Sequence, residues 1–275
     1  MLEQILELLQ FDFMRNALCA GILVSIACGI IGTLVVVNRI VFISGGIAHA
    51  AYGGIGLGYF FQINPIFGAI FFALISALGM GLVVRKTAQR VDSLIGVMWA
   101  VGMAIGIILI DLTPGYKADL MSYLFGSILT VSTENLKIIL ALDIIIVMIV
   151  FLFYKEFLAI SFDSTFALTR NVPVDSLYLV LVAAIALTVV MVMQVVGLIL
   201  VIALLTIPAA IAGQFFKDIK DMMFSASLLG MLFTTVGLGI SYYFNVTSGA
   251  TIILVSGFAY LVSLGWKSLQ TTIVE

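Results

Sequence analysis

Charged side chains are scarce in this chain. Only 9% of its 275 residues are Asp, Glu, Lys or Arg, while 63% are hydrophobic. An ordinary soluble domain is about 25% charged and about 45–50% apolar. A fold this poor in charge cannot cover its surface in water with polar groups, and a bilayer removes the need to. The mean hydropathy, +1.30, points the same way. The net charge of -2, without any basic stripe, excludes a surface built to track phosphates. Cysteine is nearly absent. Cys19 and Cys28 share one apolar stretch and would point about 180° apart on a helix, so neither a disulfide nor a cysteine metal site is predicted. Histidine occurs once, as His49 inside an apolar run, which leaves no nucleophile–base pair. A Walker A pattern is missing too. The nearest fragment, Gly265-Trp266-Lys267-Ser268, lacks the upstream glycine and interposes a tryptophan. Any energy source is therefore an ion gradient or a separate ATPase chain.

What is present in quantity is long apolar runs. A span needs about 20 mostly apolar residues. Runs of that kind cover Met14–Val37, Ile43–Phe61, Pro65–Val84, Leu94–Leu112, Leu136–Tyr154, Leu177–Val196, Gly197–Gly213, Met222–Phe244 and Ala250–Trp266. The prediction is an all-α polytopic bundle of roughly eight to nine spans, with two segments short, re-entrant or broken. Ser122–Val131 is apolar but too short to cross. No long polar segment or internal repeat divides residues 1–275, so one membrane domain is expected. Before the first span, Glu3, Glu7 and Asp12 stand where a cleaved signal would carry positive charge. Leu2, Ile5, Leu6, Leu8 and Leu9 predict an interfacial amphipathic helix there.

Lys and Arg in the loops give the orientation. With nine crossings, Arg39, Arg85, Lys86, Arg90, Lys155, Arg170, Lys217, Lys220 and Lys267 fall on one side. Among loop residues, Arg15 and Lys117 fall on the other. The first set is placed in the cytoplasm, with the N-terminus outside and the C-terminus inside.

The segment around His49 is built from small residues. Gly46, Ala50, Gly54 and Gly58 recur every four residues and form a smooth helical stripe that admits another backbone closely. His49 lies one position away, in a row with Gly45 and Gly53. An ionisable group in a span faces protein or a water-filled path, and imidazole ligates zinc and other borderline metals. Two readings stay open: a histidine hydrogen-bonded to a neighbouring helix, or a pathway ligand. Asp143, Gln194 and Asn16 are the other intramembrane polar groups, with Asp111 near a span end. Asp143 is a second ligand candidate, or pairs with a neighbouring helix or reaches the outer interface; nothing in the sequence ties it to His49. Met191, Met193, Met222 and Met223 read as packing. Further on, Pro208 interrupts a helical ladder, and Ala209, Ala210 and the residues to Gln214 and Phe215 form a compact helix-turn suited to a groove on a soluble partner. A plain Pro-kinked span is the other reading.

Taken together, Ile43–Gly58, Leu124-Phe125-Gly126-Ser127-Ile128-Leu129, Val196–Ala212 and Ser248-Gly249-Ala250-Thr251-Ile252-Ile253-Leu254 resemble the zinc/manganese class of ABC-transporter membrane permeases. The resemblance implies an importer permease of vitamin B12 permease-like architecture in a prokaryotic cytoplasmic (inner) membrane. It implies a homodimer around a central path, cytoplasmic ATP-binding subunits that hydrolyse ATP, and an extracellular or periplasmic metal-binding protein. The cargo would be a divalent ion (zinc, manganese or iron), with no permanently bound cofactor and no catalysis by the permease itself. ATPase coupling falls on Pro208, Ala209, Ala210, Gln214 and Phe215 within about 201–221, and the pathway histidine on His49. Many members carry an aspartate four residues before that histidine, where this chain has Gly45. The dimer mate, Asp143 or water would then complete the ion's shell. The alternatives are a permease for a metal chelate, which needs a wider cavity, a gradient-driven secondary transporter, and a structural scaffold.

Overall fold

A computed structural model describes residues 10–86, 91–114, 126, 128–198 and 201–274. The predicted interfacial helix, Arg90 and Lys117 lie outside them, as do Leu124, Phe125 and Ser127 of the Leu124–Leu129 motif. The described chain is helical throughout. In order come α1 (Asp12–Val37), α2 (Val41–Phe60), α3 (Pro65–Lys86), α4 (Val91–Leu112), α5 (Thr133–Leu152), α6 (Tyr154–Phe162), α7 (Ser164–Thr169), α8 (Val174–Val196), α9 (Val201–Phe215), α10 (Ile219–Phe244) and α11 (Ser248–Val274), with a short 3-10 turn at Ile128–Thr130 before α5.

Eight of the described helices are long and apolar enough to cross a membrane. Besides the short α6 and α7, the exception is α9, whose 15 residues rise only about 22 Å against a hydrocarbon core of about 30 Å. The run predicted as a span over Gly197–Gly213 is therefore a part-length helix. Near-continuous apolar sequence makes the helices hydrophobic all round, so they suit either lipid or the bundle interior. Val41–Phe60 and Val174–Val196 each bury 78% of their apolar window and form the centre, whereas Asp92–Leu112 buries 22% and lies at the periphery.

Helix ends are set by short-range chemistry. Asn38 Nδ2 donates to the Leu34 carbonyl and to Ser161 Oγ, both at 2.8 Å, closing α1 and tying it to α6. Gln62, at φ 58°, turns α2 toward α3, and Pro65 occupies the first helical position, where its missing N–H costs nothing. Ser132 caps α5 by accepting from Asn135 N, and Asp163 caps α7 by accepting from Thr165 N and Phe166 N. Asp218 accepts from Lys220 N at the start of α10, and Asn245, at φ 52°, ends it in the left-handed region.

Side-chain contacts gather the charged ends. Arg85 Nε donates to Asp175 Oδ1 at 2.6 Å, joining the end of α3 to the start of α8. The Lys220 ammonium lies 5.2 Å over the Tyr154 ring, joining α10 to α6. One end of the bundle thus carries Arg39, Arg85, Lys86, Lys155, Arg170, Lys217 and Lys220 and is called the basic end here. At the opposite end, Asn16 Nδ2 donates to the Val131 carbonyl and to Thr133 Oγ1, both at 3.3 Å, which places Arg15 and Lys137 there.

The course of α9 follows from its partners. Along α1, Gly29 faces Ser227, Ser25 faces Gly230 and Gly21 faces Thr234, so α10 is antiparallel to α1. By contrast Gly32 faces Leu205, and Val36 and Val37 pack on Ala209 and Ala212. Hence α9 runs parallel to α1, starts near the level of Cys28 and ends at the basic end. The break before it is sealed by two glycines with positive φ, Gly126 (63°) and Gly197 (80°). A Cβ on Gly126 would stand 2.7 Å from Gly197 Cα, so only glycine permits this approach.

Candidate functional site

Helix α2 has close backbone neighbours on two sides. A Cβ added at Gly54 would stand 2.6 Å from the Gly68 carbonyl carbon and 2.7 Å from Ala69 Cα on α3. At Gly46 it would meet Ile95 of α4 at 2.6 Å and Met80 of α3 at 3.2 Å. Gly58 abuts Pro65, and Ala50 receives Gly102 of α4, where an added Cβ would lie 2.6 Å from Ala50 Cα. The Gly46, Ala50, Gly54 and Gly58 stripe therefore looks into the seam between α3 and α4. A second seam was not read from the sequence. Gly56 meets Gly106 Cα at 2.7 Å, and Gly106 in turn meets the Tyr52 carbonyl carbon at 2.9 Å. Its signal was visible as Gly102 and Gly106, a small-xxx-small pair.

His49 emerges between these seams, half-buried, on the side facing α4. Its ring stacks on Trp99, with centroids 3.6 Å apart and planes 16° apart. Its Nδ1 lies 3.1 Å from Met103 Sδ. Trp99 and Met103 are four residues apart and so share one face of α4. Neither was singled out in the sequence, and the i,i+4 spacing of an aromatic and a thioether opposite a histidine becomes meaningful only once α4 is known to pack on α2. The imidazole is thus half-buried against the indole and the thioether of α4. Gly45 faces Ile202 of α9. Among the described residues no group of three or more His, Cys, Asp and Glu side chains forms a metal cluster.

Asp143 belongs to another contact. It is buried in α5, which packs on α1. Its Oδ1 finds no hydrogen-bond partner among the described residues, and neither do the amide atoms of Gln194 and Gln214. The helices that α5 packs against include α1 and α8, while His49 looks toward α4.

Of the two readings of the Pro-Ala-Ala segment, a turn after Pro208 and a helix with proline inside it, the structure has the helix. Helix α9 continues through Pro208, which is buried with Ala209; Ala210 and Gln214 are half-buried. Proline removes one N–H bond here without ending the helix. The exposed tip comes later, at Phe215 (49%), Phe216 (41%), Lys217 and Asp218 on the basic end. A cleft of about 820 Å³ lies elsewhere, between α1, α5, α6 and α10, and does not include His49.

Comparison with known proteins follows this geometry. A family model for the ABC 3 transport family matches residues 10–267. An uncharacterised membrane protein of Synechocystis sp. is 65% identical over 267 residues, covering 97% of this chain and 95% of the relative. The manganese transport system membrane protein MntC of Listeria monocytogenes is 34% identical, covering 93% of this chain and 91% of its own. Among solved structures, PsaBC from Streptococcus pneumoniae in complex with Fab contains a chain with TM-score 0.87 and 32% identity, covering 96% of this chain and 95% of that one.

Proposed function

The chain belongs to the ABC 3 transport family, and from that premise we propose that it is the permease subunit of an ATP-binding-cassette importer for divalent metal ions, acting as a homodimer. Manganese, named for the Listeria relative, is one cargo this reading admits, with zinc and ferrous iron. The observation that carries the reading is the single imidazole of the chain, half-buried where glycine brings two helix backbones together. An ionisable group is expensive in a bilayer and is kept where it meets substrate or partner.

The basic end is taken as cytoplasmic. ATP-binding subunits dock there on the exposed Phe215–Asp218 tip, and the ion is delivered to the opposite end by an extracellular metal-binding protein. Hydrolysis occurs in the ATP-binding subunits. Their movement is passed to α9 and α10, and the smooth glycine faces of α2, α3 and α4 let these helices slide without opening voids. His49 offers a nitrogen to the ion in transit. With Gly45 in place of a carboxylate, α2 supplies no second donor one turn away.

The test is uptake of radiolabelled zinc and manganese by the permease and its ATP-binding subunit in proteoliposomes. Uptake should require ATP and both chains, and His49→Ala should lower it at least about tenfold, as for loss of a ligand. Full uptake by His49→Ala would remove the site. Uptake driven by an ion gradient without the ATP-binding subunit would replace the importer reading with a secondary transporter.

A further inference from the structure

One imidazole gives a divalent ion one donor. Gly45, one turn earlier on α2, has no side chain and faces Ile202. The side chain that does place a donor beside His49 belongs to α4: Met103 Sδ, 3.1 Å from Nδ1. We propose that His49 Nδ1 and Met103 Sδ form a nitrogen–sulfur subsite for the transported ion, and that Met103 makes the permease favour thiophilic ions such as zinc over manganese. The inference rests on His49 lying on the ion's path.

The geometry admits a shared ion. Zinc binds imidazole nitrogen at about 2.0–2.1 Å and thiolate sulfur at about 2.3 Å, and a neutral thioether binds somewhat longer, so donors 3.1 Å apart reach one ion at an angle of roughly 85–90°. Opening the pair by roughly half an ångström gives the tetrahedral angle that zinc prefers. Methionine has three rotatable bonds and makes that adjustment easily. The backbone holds the rest in place. Gly102, next to Met103, seats α4 directly on Ala50, next to His49, so the two side chains leave adjacent points of one close contact. Trp99 stacks flat on the imidazole and fixes its plane, which leaves the Nδ1 edge turned toward the thioether.

The chemistry then decides selectivity. Thioether sulfur is a soft donor that suits zinc and cuprous ions, whereas manganese and magnesium prefer carboxylate, carbonyl and water. Exchanging a carboxylate–imidazole pair for a thioether–imidazole pair shifts the preference toward the softer ion.

Met103→Leu keeps size and apolarity and removes the sulfur. In proteoliposomes holding the complete transporter, this variant should lower the zinc-to-manganese uptake ratio about tenfold or more. Met148→Leu, exposed on α5, should leave the ratio unchanged. X-ray absorption at the zinc edge of the zinc-loaded wild-type complex should show one sulfur in the zinc shell, at or somewhat beyond the thiolate distance of about 2.3 Å, lost in Met103→Leu. That measurement on the wild type needs no variant to fold, and absence of the sulfur overturns the proposal. An unchanged uptake ratio in Met103→Leu, with uptake lost in His49→Ala, overturns the subsite and leaves the importer site standing. Full uptake in His49→Ala removes both.

Discussion

Two alanine substitutions on α4 isolate the contact that positions the site. Gly102→Ala adds a methyl 2.6 Å from Ala50 Cα and 3.2 Å from Ala50 Cβ and its carbonyl oxygen. Carbon atoms rest at about 3.5–4.0 Å, so α4 must retreat by roughly 1 Å. A small-to-large change in a packed contact costs about 1–3 kcal/mol. Gly96→Ala, on the same helix, adds its methyl where no atom lies within 4 Å. Both variants gain the same helix propensity, about 0.8–1.0 kcal/mol, so their difference reports the contact alone. At about 2–4 °C per kcal/mol for a chain of this order of size, Gly102→Ala should melt about 2–12 °C below Gly96→Ala. Thermal unfolding of the detergent-purified permease measures it. Tryptophan fluorescence adds a local probe, because Trp99 should lose its stacking on His49 as α4 retreats. Equal melting temperatures and unchanged fluorescence would refute the claim that backbone contact at Gly102 sets the distance between His49 and α4.

Other substitutions separate coupling from structure. Phe215→Ala and Phe216→Ala should leave the melting temperature of the isolated permease within a degree or so, since both rings are largely exposed, yet weaken binding of the ATP-binding subunit at least about tenfold, because an interface would bury each ring for about 1.5–3 kcal/mol. Titration of the purified subunits tests this, and unchanged affinity would move the docking surface elsewhere. Asp143→Asn should keep metal uptake within about twofold of wild type, because α5 packs on α1 and α8 whereas His49 faces α4. A tenfold loss in the same uptake assay would place Asp143 on the path.

Much of the architecture was legible because a bilayer imposes a length and a polarity on every crossing helix. The runs from Met14, Pro65, Leu94 and Met222 correspond to α1, α3, α4 and α10 with modest shifts at their ends. The Gly46–Gly58 stripe was legible as well, since a four-residue period of small residues has one physical use on a helix. The seventh run misled by composition. Its residues are apolar enough to span, but Gly197 ends α8 at φ 80° and leaves α9 too short to cross. Composition reports solvent and cannot report where a backbone turns. Pro208 left a turn and a proline-containing helix both open, since a proline inside a membrane helix costs one hydrogen bond and need not stop it. Trp99 and Met103 were illegible for a different reason. Their meaning depends on which helix α4 meets, and that is a tertiary fact with no trace in local spacing.

The short α9 also bears on how movement at the basic end reaches the middle of the bundle. A helix that begins inside a bilayer leaves its first N–H groups without partners, and the end of the preceding helix leaves carbonyls in the same state. Such backbone is tolerated at membrane depth only where protein encloses it or a cavity hydrates it. Here protein encloses it: Gly126 lies on Val196 and Gly197, and fully buried Ile128 fills the space against Gly21 of α1. Gly32 lets α9 lie directly on α1 at Leu205, and Ala209 and Ala212 continue that contact toward the basic end. The result is a stiff rod of about 22 Å, with an exposed aromatic tip at one end and the break between α8 and α9 at the other. Beside its first turn, Ile202 packs on Gly45, one helical turn from His49 on α2. In the proposed importer, a displacement of Phe215 and Phe216 by the ATP-binding subunit is therefore delivered within one turn of the imidazole that meets the ion. A full-length span would carry the same displacement past that level to the far surface.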